Sequence, residues 1–380
     1  MLIFKEKNTQ LDDLLDKMAE SIQLNRTRKE KMEEAYAAVC NWLKDDDEFF
    51  KDVDFEVYPQ GSVKTGTTIR PNIGDEFDLD IVVHLQLDWQ KHTPSYIYNQ
   101  LKRRLMASGT YAEMIELKNR CIRLNYAGEF HMDILPGCQR TYSDEDRILV
   151  PDRALGKWTP SSPRAYAKWF IDRANSIETS LLEKAYSLED LPPDSFMDKK
   201  PLQRAVQLIK KARDVFFDDD EDYAPSSIIL TTLAGHYYQN DDSIFGAISG
   251  IMTGISQLIT SSKDSQFKLY NPVDITEEFT DKWNNDKKHY TQFKLFVNHF
   301  NSVWSELQTG RLTILQEDEL IKSLFGDAAY DKAIRLQAEL VEKYRANQKL
   351  LMEKKTGILT SASVAGTIPV PKNTFDGRKI

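Results

Sequence analysis

The feature that most constrains the fold is residues 76–85, EFDLDIVVHL, where carboxylates alternate with apolar side chains and then give way to an apolar run. Side chains of a β-strand point to opposite faces in turn, so Glu76, Asp78 and Asp80 share one face. The roots of Asp78 and Asp80 then lie ~7 Å apart, a span that one or two hydrated cations can bridge. Burying such like charges is costly unless a cation neutralises them. The stretch therefore predicts a strand that carries a carboxylate pair into a metal-dependent site.

A third carboxylate occurs in a later strand pattern. In residues 129–135, EFHMDIL, the alternation puts His131 and Asp133 on one face and the apolar residues on the other. A carboxylate pair on one strand and a single carboxylate on a distant strand is the pattern that a two-metal phosphoryl-transfer site requires. Mg²⁺, or Mn²⁺ in its place, takes carboxylate and phosphate oxygens as ligands. We predict that Asp78, Asp80 and Asp133 hold these ions.

A phosphate-binding turn is predicted upstream of the carboxylate strand. The run QGSVKTGTTIRP contains Gly61 and Ser62 at the point where a strand ends and a short helix begins. Glycine permits close approach of the backbone, while a serine hydroxyl and free N–H groups donate to phosphate oxygens. A Gly-Ser pair alone is more often an ordinary turn. Its place before the aspartate strand makes Gly61 and Ser62 candidates for nucleotide binding.

The order of the patterns divides the chain into two lobes and a tail. The predicted strands lie at residues 53–58, 77–85, 111–117, 121–126 and 129–135. The predicted helices in the second half lie at residues 166–174, 201–217, 226–238, 245–259, 276–307 and 328–352. We predict a core with N-terminal bracing helices at 1–160, a helical lobe at 161–353, and a tail at 354–380 that its composition leaves mobile without a partner.

Charge and cysteine content narrow the class of protein. The chain has 59 acidic and 50 basic residues and a net charge of −9. This charge argues against a protein that binds nucleic acid electrostatically over its whole surface. Cys40, Cys121 and Cys138 form neither a paired disulfide framework nor a C-x-x-C metal motif. Acidic residues come too early for a signal peptide, and no apolar run approaches a membrane span in length. We expect a cytoplasmic protein that requires neither membrane nor nucleic acid.

Taken together, these residues resemble a known superfamily. The Gly-Ser pair, then Asp78 and Asp80 on one strand and Asp133 on another, is similar to the catalytic core of the DNA polymerase β-like nucleotidyltransferases. Four longer segments resemble the bacterial CD-NTases, relatives of cyclic GMP-AMP synthase and oligoadenylate synthase. They are QGSVKTGTTIRP, VPDRALGKWTPSSPRAYAKWF, LQRAVQLIKKARDVFF and PSSIILTTLAGHYY. The resemblance covers residues 8–307.

The resemblance implies a fold and an activity. The fold is α+β, with a polymerase β-like mixed-sheet lobe, an oligoadenylate-synthase-like helical lobe and a nucleotide cleft between them. The activity, in antiphage signalling, joins nucleoside triphosphates, ATP among them, into a cyclic oligonucleotide for a downstream effector and releases pyrophosphate by a two-metal mechanism. Asp78 and Asp80 would hold both Mg²⁺ ions, and Asp133 would bind one ion and help activate the attacking hydroxyl. Ser62 would contact the triphosphate.

In the helical lobe the resemblance implies two further triphosphate contacts. Lys210 and Ser227 match the lysine and serine that reach the triphosphate from the other side of the cleft in cyclic GMP-AMP synthase. Lys211, one helical step away, is an alternative for the lysine. A regulatory or tail-binding protein is a further implied partner. The C-terminal sequence DGRKI, however, lacks the final glycine or alanine of family members whose tails are conjugated to another protein.

Two other functions compete with the cyclic oligonucleotide synthase. A linear nucleotidyltransferase would act on RNA, a protein or a small molecule, and the acidic net charge weakens the RNA version because an acceptor strand needs a basic track. A catalytically silent nucleotide-binding module would be expected to lose at least one of the three aspartates, and all three are present. The product cannot be deduced from spacing, since base choice depends on contacts in the cleft.

Overall fold

The computed structural model shows a mixed β-sheet beside a set of packed helices. It describes residues 7–70, 76–141, 144–175, 191–192, 195, 198–263, 265–347, 349–353, 359–360 and 367–370. The α+β class predicted from the sequence is confirmed. Every residue predicted to form the site lies within the described ranges.

Seven strands in the described part of the chain form one mixed sheet. They are β1 (Phe55–Pro59), β2 (Phe77–Leu85), β3 (Ile115–Leu117), β4 (Ile122–Tyr126), β5 (Phe130–Thr141), β6 (Asp144–Asp152) and β7 (Lys157–Ser161). The order is β1-β2-β5-β4-β3, and β6 pairs with both β5 and β7. All pairings are antiparallel except that of β2 with β5, which is parallel. The meander predicted from the turn signals is confirmed as β3, β4 and β5.

Strand β2 is buried on both faces of the sheet, which fixes its register. Leu79 and Ile81 pack in one apolar cluster with helices α2 (Arg26–Lys44) and α4 (Pro94–Met106). Val82 packs in a second cluster on the other face. A shift of one residue would turn every side chain to the opposite face, so this packing specifies the pairing strongly. The bounds of β2 are those predicted from the alternation.

The strand predicted at 111–117 is only partly correct. Helix α5 (Gly109–Met114) occupies the first part, and only β3 is a strand. The hydroxyl of Ser108 accepts a hydrogen bond from the backbone N–H of Tyr111 and caps α5. Such a cap satisfies a helix N–H group that would otherwise lack a partner, so it favours the helix. The remaining short helix of this lobe, α3 (Gly61–Thr65), follows β1.

The second lobe is helical, as predicted. It contains α6 (Pro163–Asn175), α7 (Pro201–Phe216), α8 (Ser227–Tyr237), α9 (Ile244–Ser261), α10 (Asp281–Asn285), α11 (Lys287–Gln308), α12 (Ile314–Phe325) and α13 (Asp327–Ala346). The N-terminal helix α1 (Lys7–Ser21) packs against α7, α9 and α13 of this lobe. Leu15 and Met18 of α1 are fully buried in the same core. Of the two N-terminal helices, α2 therefore braces the sheet, and α1 lies with the helical lobe.

The continuous helix predicted at 276–307 is wrong in its first part. A hairpin of β8 (Tyr270–Asn271) and β9 (Asp274–Glu278) precedes α10, and the long helix α11 begins only at Lys287. The carboxylate of Asp286 accepts a hydrogen bond from the backbone N–H of Lys288 and caps α11. The helical periodicity continued across this boundary, but the local cap starts a new helix.

The last predicted helix ends earlier than residue 352, and a small sheet follows. Strand β10 (Leu351–Glu353) pairs antiparallel with β11 (Leu359–Thr360) and β12 (Thr367–Pro369). Strands β11 and β12 belong to the predicted tail, and their backbones are hydrogen-bonded to β10. The composition of the tail did not predict this pairing. The rest of the predicted mobile tail lies outside the described residues.

One helix in the described ranges, α9, is long and apolar enough to cross a membrane by length and composition. The expectation that no segment approaches a membrane span is corrected here. Helix α9 packs against α7, α8 and α11, and its residues Ile248 and Ile251 are fully buried. A buried core helix passes the same test of length and composition.

Replacing Leu15 with alanine tests whether α1 belongs to the helical core. Because the side chain is fully buried, we expect the free energy of unfolding to fall by about 2–5 kcal/mol. Leu295→Ala on α11 is a matched control, because Leu295 is 49% exposed and its loss should change stability by less than about 0.5 kcal/mol. Urea unfolding followed by circular dichroism measures both. Equally small changes would show that α1 is not part of the core.

Candidate active site

The sheet register brings the three predicted aspartates together. Asp80 of β2 and Asp133 of β5 are directly opposite partners in the parallel ladder, and paired strands lie ~4.8 Å apart. Asp78 lies two residues earlier on the same face of β2 and is 53% exposed. Asp80 and Asp133 are partly buried. The register thus brings three carboxylates from two strands close together.

Gly61 begins α3 directly beside Asp80. The backbone N–H of Gln60 donates to the carbonyl of Asp80 over 2.8 Å, which holds the start of α3 against β2. Gly61 has a φ of +60°, and a Cβ placed there would lie 2.3 Å from Oδ2 of Asp80. Both the left-handed backbone and the close approach require glycine. The predicted turn therefore abuts the carboxylate cluster.

Ser62 is oriented by the loop that follows α3. Its hydroxyl accepts a hydrogen bond from the hydroxyl of Thr68 at 3.1 Å. Its carbonyl accepts one from the backbone N–H of Thr67 at 2.9 Å. Ser62 lines the same cavity as Asp78, so its hydroxyl is held beside the carboxylates.

Helix α7 binds this loop from the other lobe. Three of its side chains donate hydrogen bonds to backbone carbonyls of the loop. The pairs are Gln203 with Thr65 at 2.9 Å, Gln207 with Thr68 at 2.6 Å and Lys210 with Thr67 at 3.1 Å. Lys210 also donates to the hydroxyl of Thr67 at 3.1 Å. The position of the loop after α3, which orients Ser62, therefore depends on the helical lobe.

Lys210, rather than Lys211, lies in the cleft. Lys210 is 2% exposed and lines the same cavity as Ser62 and Ser227, and Lys211 is not among the described residues that line it. Burial lowers the pKa of Lys210 to about 7, and the charge of Arg213 adds to the shift. A negative ligand beside this ammonium group would favour its charged form.

Ser227 is the first residue of α8 and is paired with an arginine that the sequence analysis missed. Its hydroxyl accepts a hydrogen bond from Nη1 of Arg213 at 3.1 Å. The same nitrogen donates to the carbonyl of Pro225 at 3.1 Å. Arg213 lines the cavity together with Lys210. It comes three residues after Lys210 on α7, a spacing that places both on one helix face and that could have identified it.

Two adjoining cavities meet at Asp80 in the cleft between the lobes. One has a volume of about 310 Å³ and contains Ser62, Lys210 and Ser227. The other has a volume of about 420 Å³ and extends towards Arg120 and Glu277. The residues that line both are Gly61, Thr65, Asp80, Tyr166 and Ile228. Another opening, of about 480 Å³ between α9 and α11, contains none of the predicted site residues among the described residues that line it.

The carboxylate cluster carries an excess of negative charge. Burial raises the pKa of Asp80 to about 7, and the charges of Asp78 and Asp133 add to the shift. The positive charges of Arg123 and Lys210 act in the opposite direction. Near neutral pH the site therefore gains stability either from a proton on Asp80 or from an additional cation.

Arg123 lies among the carboxylates, although the sequence analysis did not select it. It is the partner of Asp133 across the antiparallel pairing of β4 with β5. Its Nε and Nη2 donate to the two oxygens of Asp133 at 2.7 and 2.8 Å. Nη2 also donates to Oδ1 of Asp78 at 3.0 Å. The pairing of β4 with β5 could have indicated this contact, but only once the register was known.

The three aspartates fit a hard divalent cation by their chemistry. In the described ranges, no three histidine, cysteine or carboxylate side chains already form a metal-binding set. The donors available are carboxylate oxygens, which Mg²⁺ and Mn²⁺ prefer. The raised pKa of Asp80 reflects first its burial and then the like charges of Asp78 and Asp133, and a cation would offset both effects.

Comparison with known proteins finds one matching family model and relatives that align with most of the chain. The model of the family SMODS, described as Second Messenger Oligonucleotide or Dinucleotide Synthetase domain, matches residues 9–174. A c-di-GMP synthase of Roseivirga ehrenbergii is 41% identical over 378 residues, which cover 99% of this chain and 100% of that protein. The cyclic dinucleotide synthase CdnG of Bradyrhizobium diazoefficiens is 25% identical over 348 residues, which cover 86% of this chain and 82% of that protein.

A solved structure has the same fold. The structure of Bradyrhizobium diazoefficiens CdnG in complex with GTP matches with a TM-score of 0.71 and 23% sequence identity. The match covers 87% of this chain and 99% of that one. The two-lobed fold implied by the resemblance is thereby confirmed.

The charge of Asp80 should make stability depend on pH. Its pKa is higher in the folded than in the unfolded state, so its stabilising contribution is present at low pH and is lost as pH rises through about 7. One pKa unit corresponds to about 1.4 kcal/mol. In EDTA, Asp80→Asn should raise the Tm by at least ~2 °C at pH 8 and by less at pH 5. Differential scanning fluorimetry measures both.

Asp172 provides the control for Asp80. Asp172 on α6 is 61% exposed and far along the chain from the cluster, so Asp172→Asn should leave the Tm nearly unchanged at both pH values. An Asp80→Asn variant that is destabilised equally at pH 5 and pH 8 would show that like-charge repulsion does not act on Asp80.

Proposed function

The chain belongs to the bacterial CD-NTase family of second messenger oligonucleotide or dinucleotide synthetases, and from this premise we propose that it joins two nucleoside triphosphates into a cyclic dinucleotide. It is a nucleotidyltransferase. In each of two steps a ribose hydroxyl attacks an α-phosphorus, a new P–O bond forms, the α–β anhydride bond breaks and pyrophosphate leaves. The second step closes the ring.

The observation that carries this proposal is the meeting of two cavities at Asp80. A donor and an acceptor nucleotide must lie side by side with the α-phosphate of one next to the hydroxyl of the other. The two cavities share Asp80, and each has space for part of a nucleotide, with volumes of about 310 and 420 Å³. Two spaces that adjoin at Asp80 suit a donor and an acceptor whose reacting groups meet beside this carboxylate.

The smaller cavity is suited to a triphosphate. Ser62 offers a hydroxyl from the sheet lobe, and Ser227 offers one from the helical lobe. Lys210 and Arg213 supply positive charge on the same side. Charge-assisted hydrogen bonds of this kind are the strong ones for phosphate. We propose that these side chains hold the triphosphate while the leaving pyrophosphate separates from the α-phosphate.

Asp78, Asp80 and Asp133 are the residues that would hold Mg²⁺ or Mn²⁺. When bound, two such ions supply a charge clamp that stabilises the attacking and the leaving oxygens. Asp133 would also take up the proton of the attacking hydroxyl. Asp80 lies at the junction of the two cavities, so its carboxylate is close to both the acceptor and the donor nucleotide.

The most specific indication of the product comes from the relative that is 41% identical, which is named a c-di-GMP synthase. We propose that this chain uses GTP and makes a cyclic dinucleotide that contains guanine. Four further expectations stay predictions: a downstream effector, a regulatory or tail-binding protein, a role in antiphage defence and a cytoplasmic location.

Product analysis tests the proposal directly. The full chain is incubated with all four nucleoside triphosphates and Mg²⁺, and the products are separated by chromatography and identified by mass spectrometry. We expect a cyclic dinucleotide that contains guanine, with two pyrophosphates released per product. Asp78→Asn combined with Asp80→Asn should remove product and pyrophosphate release without lowering the Tm.

Other outcomes point to the competing functions. Linear products that remain open would indicate a linear nucleotidyltransferase. Nucleotide binding without pyrophosphate release would indicate a silent nucleotide-binding module. Equal turnover by the double variant would exclude the aspartates as the catalytic carboxylates.

Substitution of Lys210 tests the triphosphate contact. Lys210→Gln keeps a donor for the carbonyl of Thr67 but removes the positive charge, so we expect the KM for GTP to rise by about tenfold or more with a smaller change in kcat. Lys211→Gln is the matched control, because Lys211 is the next residue on α7 and is not among the described residues that line the cavity. We expect its KM for GTP to be near that of the unmodified chain. An unchanged KM for Lys210→Gln would assign Lys210 a structural role only.

A further inference from the structure

Arg123 takes up the carboxylate oxygens that a metal ion would use. Its Nε and Nη2 occupy both oxygens of Asp133, at 2.7 and 2.8 Å, and Nη2 also contacts Asp78 at 3.0 Å. A guanidinium group that binds a carboxylate at two points holds it in a fixed orientation. A divalent cation on the same oxygens would lie close to this positive charge and would be repelled by it.

The surroundings of Arg123 offer the guanidinium a second position. Nη1 of Arg123 lies 3.3 Å from Nδ1 of His131, whose Nε2 is paired with the carboxylate of Glu76. Asp78, the outer carboxylate, is 53% exposed, whereas the side chain of Arg123 is 18% exposed. A guanidinium that releases Asp133 would thus still have the more exposed carboxylate of Asp78 as a partner. Such a movement needs only side-chain rotation, which is fast compared with catalysis.

We propose that Arg123 is the resident counter-ion of the aspartate cluster, that it holds Asp78 and Asp133 in place when no divalent cation is bound, and that it must release Asp133 for the cation to bind. This inference rests on the proposed function, because it takes the aspartates as the metal ligands. Arg123 is then a positioning residue that stabilises the site without metal and weakens its affinity for metal. The metal concentration at which the enzyme becomes active is set in part by this competition.

Metal binding, measured without turnover, tests the competition. Mn²⁺ alone is titrated into the full chain and followed by calorimetry, and the Tm is measured in EDTA and in Mn²⁺. Arg123→Gln should bind Mn²⁺ about tenfold more tightly, which corresponds to about 1.4 kcal/mol. The same variant should have a lower Tm in EDTA and a larger increase in Tm on addition of Mn²⁺.

Arg140→Gln is the matched control for the loss of an arginine that pairs with a buried carboxylate. Nη1 of Arg140 donates to the carboxylate of Asp274 at 2.9 Å, and Arg140 is not among the described residues that line either cavity at Asp80. Arg140→Gln should lower the Tm in EDTA and leave the affinity for Mn²⁺ unchanged. If Arg123→Gln does not fold, Arg123→Lys replaces it. Lysine lacks the planar fork of donors that pairs with both oxygens of a carboxylate in parallel, so this variant should hold Asp133 less firmly and also bind Mn²⁺ more tightly than the unmodified chain.

The outcomes separate this inference from the proposed function. Equal or weaker Mn²⁺ binding by the Arg123 variants, with an unmodified chain that binds Mn²⁺ and makes product, overturns the counter-ion role and leaves the function standing. An unmodified chain that binds no Mn²⁺ overturns both the metal assignment and the role of Arg123. Product analysis then decides separately whether the chain makes a cyclic dinucleotide.

Discussion

The parallel pairing of β2 with β5 is the constraint on which the site depends. It places Asp80 directly opposite Asp133, although the two strands are separated in sequence by two helices and two other strands. Two like charges side by side destabilise this pairing, and the apolar clusters on both faces of β2 hold it in place. The packing of the core therefore offsets the repulsion between the carboxylates. The site retains an excess of negative charge, which favours the binding of a cation.

The sequence predicted the part of the site that follows from local alternation. The strand predicted at residues 77–85 has the bounds of β2, because buried and more exposed side chains alternate at its start. The same method failed at residues 111–114, where apolar spacing suits a strand and a short helix equally well. It failed again before α11, because the cap at Asp286, not periodicity, decides where that helix begins.

Sequence patterns did not predict the contacts between the lobes. The polar residues Gln203, Gln207 and Lys210 form a stripe along α7, but periodicity cannot tell which surface such a stripe will face. In the fold, the stripe faces the loop after α3, more than a hundred residues earlier in the chain. The family resemblance implied a triphosphate contact for Lys210, with Lys211 as the alternative, whereas the bond of Lys210 to Thr67 required the structure.

This bond gives Lys210 two tasks at once. An ammonium group has three N–H donors, and Lys210 directs hydrogen bonds to both the carbonyl and the hydroxyl of Thr67. At most one donor then remains for a phosphate oxygen in the same geometry. A triphosphate that recruits Lys210 must either accept that single bond or draw the ammonium away from Thr67. Under the proposed role of Lys210, nucleotide binding would be coupled to the contact between the lobes, and the loop that positions Ser62 would respond to the ligand through α7.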